Sequence, residues 1–172
     1  MIQMMAMQEA ARGHVGLARL ERSDGEALRR LFFRLSAKSV YRRFHSPIVR
    51  PEQAQPDRLL DLDHHDREAV VAVLDGEIVG VARYARWRES DAAELAVVVA
   101  DTWQRQGLAI RMLSSLAELA RSAGIERFTA TIQGDNRPAL GLLQRWLPSA
   151  RPTFSYGLCE VILPIRSEDS FR

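Results

Sequence analysis

The stretch VVVADTWQRQGLA, residues 97–109, joins a β-branched run to an amphipathic one through a short turn containing a single glycine. A helix beginning at such a turn presents backbone N–H groups without intrahelical partners and about half a positive charge, which together attract an anion. Gly107 has no Cβ to hold a ligand away from the backbone, and Ala109 keeps the next turn small. The stretch lacks both GxxxxGK[ST] and GxGxxG, so neither familiar nucleotide loop is present, and the pattern fits a diphosphate site of another kind. A glycine-containing strand-to-helix turn also serves merely to connect elements.

Other reactive side chains are less organised. Cys159 is the only cysteine, which excludes an internal disulfide, and its neighbours Tyr156, Leu158 and Glu160 supply neither a base nor a cation to lower a thiol pKa. It reads as a buried strand residue. His64 and His65 lie among Asp61, Asp63 and Asp66, but adjacent histidines point different ways and no HExxH or paired-cysteine spacing occurs. An exposed turn is expected there, and no metal. Arg42, Arg43 and His45 read equally as a solvated helix face, as the border of an acceptor pocket or as a dock for an acidic partner.

These residues need a frame. Residues 15–20 form a weak first strand, and Ser23 and Asp24 offer N-cap chemistry for a helix through about Leu35. A second helix over 37–44, ended by Pro47 and Pro51, and a short helix or turn in PEQAQPDRLLDL complete a helical first third. From Glu68 two valine-rich runs flank Asp75-Gly76, a tight-hairpin dipeptide, and a third run follows over 92–101. Apolar residues at Ala109, Met112, Leu113, Leu116 and Ala120 then repeat with helical spacing up to Gly124. The strand ERFTATIQ and a helix over 136–146 follow, with Pro138 in its first turn and Asn136 suited to be its N-cap. Strand, helix, strand predicts that the runs before and after the 109–120 helix are parallel neighbours. A final hairpin or bent strand pair closes the chain near Ile165.

The string DTWQRQGLA resembles the acetyl-CoA-binding motif [QR]-x-x-G-x-[GA] of the GNAT superfamily of N-acetyltransferases, and the element order is similar to that family from about Val15 to Ile165. The resemblance implies an α/β fold: a mostly antiparallel sheet with a parallel central strand pair, flanked by helices. It implies that Val97 and Val99, with Val98 between them, offer their backbone to the pantetheine arm. Gln104, Arg105, Gln106, Gly107, Leu108 and Ala109 would hold the diphosphate, and Asn136 would approach the thiol end as well as capping its helix. SAKSVYRRFHSP and LDLDHHDREAVVAV look most like the bacterial protein-lysine acetyltransferase branch.

Acetyl transfer to an amine needs the neutral nucleophile, whereas a free lysine amine has a pKa of about 10.4. Glu94 stands where many family members place the base, and a backbone N–H of the same strand, that of Val97, would meet the oxyanion. Glu94 also reads as a solvated strand-end residue. Relatives protonate the leaving thiolate from a tyrosine, where this chain has Leu143; either a thiol of pKa about 8.5 leaves without a dedicated acid, or Tyr156 or a water substitutes. The expectation is therefore an acetyl-CoA-dependent N-acetyltransferase acting on a small-molecule amine, a protein lysine or an N-terminus by direct attack, the alternative being an acyl-CoA sensor without turnover.

Composition agrees with one domain. The 172 residues are 47% hydrophobic and 27% charged, enough for a core and for solubility. Formal charge is +2, Lys38 is the single lysine, and the arginines are interleaved with acids, so no nucleic-acid partner is expected. The start shows no signal-like pattern and no long apolar run occurs, which predicts no membrane partner and a cytoplasmic location. The expected layout is an extension over 1–14, one free-standing acetyltransferase domain over 15–166 and a tail over 167–172, with the oligomeric state open to a homodimer.

Overall fold

The computed structural model describes residues 14–44 and 56–165. His45, Pro47 and Pro51, most of the expected N-terminal extension and the C-terminal tail lie outside the described residues. The Asp75-Gly76 signal marks the observed hairpin: β2 (Arg67–Leu74) and β3 (Glu77–Arg86) meet there with φ of 50° and 77°, the left-handed pair a tight hairpin requires. β1 (Gly16–Arg19) lies on the far side of β2, and β4 (Ala92–Val99) pairs with β3. β5 (Arg127–Gln133), β6 (Thr153–Ser155) and β7 (Leu158–Pro164) complete a seven-stranded sheet of order β1-β2-β3-β4-β5-β7-β6. All neighbours are antiparallel except β4 and β5, which are parallel as the strand, helix, strand spacing predicts.

Helices cover both faces. On one, α4 (Leu108–Ser122) and α5 (Arg137–Trp146) pack against Val70, Tyr84, Leu95, Phe128 and Val161. The α4 stripe of Met112, Leu113, Leu116, Ala117 and Ala120 is wholly buried, and each leucine contributes about 1.5–3 kcal/mol of burial. On the other face α1 (Gly25–Arg34) sets Leu28, Leu31 and Phe32 over Val71, Ile78, Val81 and Val98. α2 (Ala37–Phe44) and α3 (Pro56–Leu59) follow it in the chain, so the described residues between β1 and α3 are mostly helical, as expected.

Asp24 does not cap α1 from its side chain. Its Oδ2 instead accepts the Glu21 backbone N–H at 2.8 Å, because a single turn of tight helix (Arg22–Asp24) precedes α1 and uses that carboxylate. Among the described residues, no helix is long and apolar enough to cross a membrane.

Candidate functional site

The sheet is nearly interrupted where β4 and β5 run parallel, the only parallel join among the described residues. β4 and β5 share the register pairs Ala92↔Arg127, Ala93↔Phe128 and Glu94↔Thr129, and then part. The Ala100 N–H donates to Val79 O and the Trp87 N–H to Ala92 O, which fixes the alternation in β4: even-numbered residues bond to β3. The peptide groups of Val97 and Val99 therefore face the side from which β5 has withdrawn. The result is a strand edge inside a sheet, open to an extended ligand. The Val99 carbonyl accepts Gln104 Nε2 at 3.0 Å, which ties the following loop to this edge. Val98 is turned away, with its side chain in the core under α1 and its backbone opposite Val81.

β4 leads directly into the loop that starts α4. Gly107 is the N-cap of α4 at φ 79° and ψ 1°, with no side-chain cap and no acid in the first helical turn. Arg111 N–H is the donor to Gly107 O, so the N–H groups of Leu108, Ala109 and Ile110 lie ahead of the helical ladder. A Cβ built on Gly107 would meet nothing within 4 Å, so the space in front of this backbone is open. Arg105 is also left-handed, at φ 64°, which re-aims the backbone just before Gly107. Gln104 anchors the loop through Val99 and through Ser39 Oγ at 3.2 Å, and Gln106 Nε2 donates to Thr102 O. Asp101 secures it to the start of α2, accepting the Ser36 backbone N–H at 3.0 Å and the hydroxyls of Ser36 and Ser39. Burial works to raise the Asp101 carboxyl, but the Ser36 N–H and these hydroxyls hold it below its ordinary range.

At the other end of β4 the splay opens into a cavity of about 420 Å³. Glu94 and Val97 line it from β4, Ala130 and Ile132 from β5, Asn136 from the N-cap of α5 and Leu143 from α5 itself. Asn136 is buried, and its Oδ1 accepts the Ala139 N–H at 3.3 Å, so it caps α5 while facing the cavity. Arg42, Arg43 and Arg83 complete the wall around Glu94. Burial lowers the Arg43 guanidinium to about 10, with Arg83 repelling it and Glu94 opposing the fall, and it remains a cation at neutral pH. Arg83 is lowered by burial in the same way and supported by Glu94.

The loop 104–109 does not line this cavity; it lies beyond the end of β4. From Glu94 to Val99 the strand covers about 17 Å, comparable to an extended pantetheine arm. Arg83 escaped the sequence reading. The available signal was an arginine at an alternate position of β3 whose neighbours on the same face are Val81 and Ala85.

The remaining candidates sit elsewhere. Tyr156, fully exposed at the β6–β7 turn, is not among the cavity residues. Cys159 is buried opposite Ile132, and burial pushes its thiol up. The 63–66 segment is a turn, but His64 is half-buried rather than free: its Nδ1 lies 3.0 Å from Glu68 Oε1 and its Nε2 is 3.4 Å from Glu21. Glu68, fully buried at the start of β2, is also paired with Arg19 and accepts the Ala69 N–H at 2.9 Å. Burial works to raise the Asp63 carboxyl, but the backbone N–H groups of Arg67, His65 and Asp66 bring it down to about 2. No group of three or more metal-ligating side chains is placed to hold an ion among the described residues.

Residues 33–147 match the family model described as the acetyltransferase (GNAT) family. An acetyltransferase of Pseudomonas aeruginosa is 34% identical over 128 residues, 72% of this chain and 69% of the relative. Acetyltransferase Pat of Mycolicibacterium smegmatis is 28% identical over 64% of this chain, and the match spans only 34% of Pat. Among solved structures, the GNAT domain of S. lividans PAT superposes with a TM-score of 0.80 at 26% identity, covering 87% of this chain and 90% of that one.

Proposed function

The chain belongs to the acetyltransferase (GNAT) family, and from that premise we propose that it transfers an acetyl group from acetyl-CoA to a primary amine within a ternary complex. The observation that carries this reading is the parting of β4 from β5, which opens a strand edge at Val97 beside the carboxylate of Glu94, on the strand that leads into the helix start at Gly107 with no side-chain cap. The diphosphate lies on the N–H groups at the start of α4, with Gln104 holding the loop in shape. The pantetheine arm runs beside β4 as an added strand on the Val97 edge, and its thiol end arrives next to Asn136.

Glu94 accepts a proton from the acceptor's ammonium, directly or through water, and the neutral amine attacks the thioester carbonyl. The Val97 N–H donates to the resulting oxyanion. Collapse breaks the C–S bond, and the second amine proton goes to the departing thiolate. A thiol of pKa about 8.5 leaves without a dedicated acid, which suits the presence of Leu143. The test is calorimetric titration of acetyl-CoA followed by CoA release with an amine panel. Glu94→Gln is expected to lower kcat by about 10²- to 10⁴-fold and leave acetyl-CoA uptake intact. Equal rates would remove Glu94 as the base. A second reading, an acyl-CoA sensor, draws on the apolar Leu143 in the cavity wall; it requires tight acetyl-CoA binding without turnover of any amine.

A further inference from the structure

The cavity at the thiol end holds more positive charge than moving a proton requires. Even with Arg43 left aside, Arg42 and Arg83 face it against the single carboxylate of Glu94 among its described lining residues. The donor's phosphates do not account for them, because the α4 start that would bind phosphate lies beyond the far end of β4, about 17 Å from Glu94. Pantetheine itself is neutral. Arg83 has the most defined position: with Ala85 opposite Glu94 and Arg83 opposite Ala96, it is the diagonal neighbour of Glu94 on the same sheet face. It is half-buried between the buried residues Ala82 and Tyr84, and it makes no hydrogen bond or ion pair with any described residue. Its charge is felt by Glu94, Arg67 and Asp61.

A cationic pocket repels a bare ammonium ion, so a simple alkylamine is a poor fit. An amine carrying its own carboxylate is attracted, and the fixed fork of a guanidinium matches that group with two parallel hydrogen bonds. The surplus positive charge then favours the neutral form of the amine, which is the nucleophile. Building on the acetyl-transfer reading above, we infer that the acceptor is an amine with a carboxylate close to its nitrogen, and that Arg83 is the residue that recognises this carboxylate while Glu94 receives the proton. Two sources share this chemistry: a free amino acid, and a peptide lysine next to an acidic residue.

The experiment measures acetyl transfer to the common L-amino acids, each paired with its own carboxamide, and to blocked Glu-Lys-Glu and Gln-Lys-Gln peptides. The wild type, Arg83→Gln and Arg83→Lys are compared, with acetyl-CoA titrated into each by calorimetry to establish that it is folded and loaded. The amide's amine is the less basic and more often neutral, so a preference for the acid reports recognition. The wild type is expected to favour the carboxylate member by about tenfold or more in kcat/KM, mostly through KM. In Arg83→Gln the acid-to-amide ratio falls toward one, and Arg83→Lys restores part of it. Preference within the amino-acid pairs identifies the small acceptor, and preference within the peptide pair identifies the protein one. Equal rates for acid and amide in the wild type, or an unchanged ratio in Arg83→Gln, overturn this assignment while leaving the acetyl-CoA reading standing. Absence of acetyl-CoA heat overturns both.

Discussion

Replacing Gly107 with alanine separates the backbone's role in folding from its role in ligand binding, because the protein contains its own control. Gly76, in the β2–β3 turn, has φ 77° against 79° for Gly107, and neither position has an atom within 4 Å of a built Cβ. The left-handed conformation costs an L-residue about 1–2 kcal/mol, partly offset by the lower entropy of the unfolded alanine chain. Gly107→Ala and Gly76→Ala are therefore expected to lose similar stability, about 1 kcal/mol, seen as a Tm drop of roughly 2–4 °C. Acetyl-CoA affinity should divide them. At Gly107 the methyl group enters the space assigned to the diphosphate, and losing even one charge-assisted N–H contact of about 1.5–3 kcal/mol raises Kd by roughly 10- to 100-fold. At Gly76 the Kd should stay at the wild-type value. Calorimetry at a temperature where both variants are folded gives the comparison, with thermal unfolding as the parallel measurement. If the two variants bind acetyl-CoA equally well, the α4 start is not the phosphate site and the donor has been placed in the wrong part of the fold.

Asp63 offers a test by pH. Its folded carboxyl is depressed to about 2, so its contribution to stability is present above the unfolded value of about 3.9 and is lost as pH falls through about 2. With its side chain 39% exposed, solvent screening keeps that contribution small. Urea unfolding across pH 2 to 5 should give a shallower acid dependence in Asp63→Asn than in the wild type, and identical slopes would show that the turn does not hold the ionised form. Cys159, buried and raised by burial, should react with a thiol reagent only when the protein opens, and Cys159→Ala should still transfer acetyl groups. Loss of transfer in a folded Cys159→Ala protein would force a covalent step into the mechanism.

Local chemistry made much of the fold readable. Asp75-Gly76 can adopt two successive positive φ values cheaply, and the hairpin forms there. The spacing of Met112, Leu113, Leu116 and Ala120 admits one buried helix face, and Gly124, at φ 76°, ends that helix where expected. Asn136 caps α5 because its neighbours Arg137 and Pro138 begin the helix. What could not be read depends on tertiary geometry. Nothing local to ELAVVV or RFTATIQ tells that their strands share only three register pairs, since each is a sound strand alone. The left-handed Arg105 lacks the glycine or asparagine that normally signals such a conformation. The return of the Gln104 side chain to the Val99 carbonyl depends on the folded loop, and Arg83 gained meaning only when β4 set Glu94 diagonally beside it.

The early parting of β4 and β5 has a bearing on how this scaffold tolerates change. The opening comes from the paths of two strands, with Phe128, Leu116 and Leu163 packed solidly around their shared root. Most binding hollows are carved by leaving out side chains, and a single enlarged residue can fill them. Here a substitution behind the strands, such as at Leu116 or Leu163, that preserves strand direction leaves the opening in place, while exchanges in its lining, such as at Arg42, Arg83 or Leu142, alter what enters. Rim and interior can therefore drift separately, which gives one backbone room to serve many different guests.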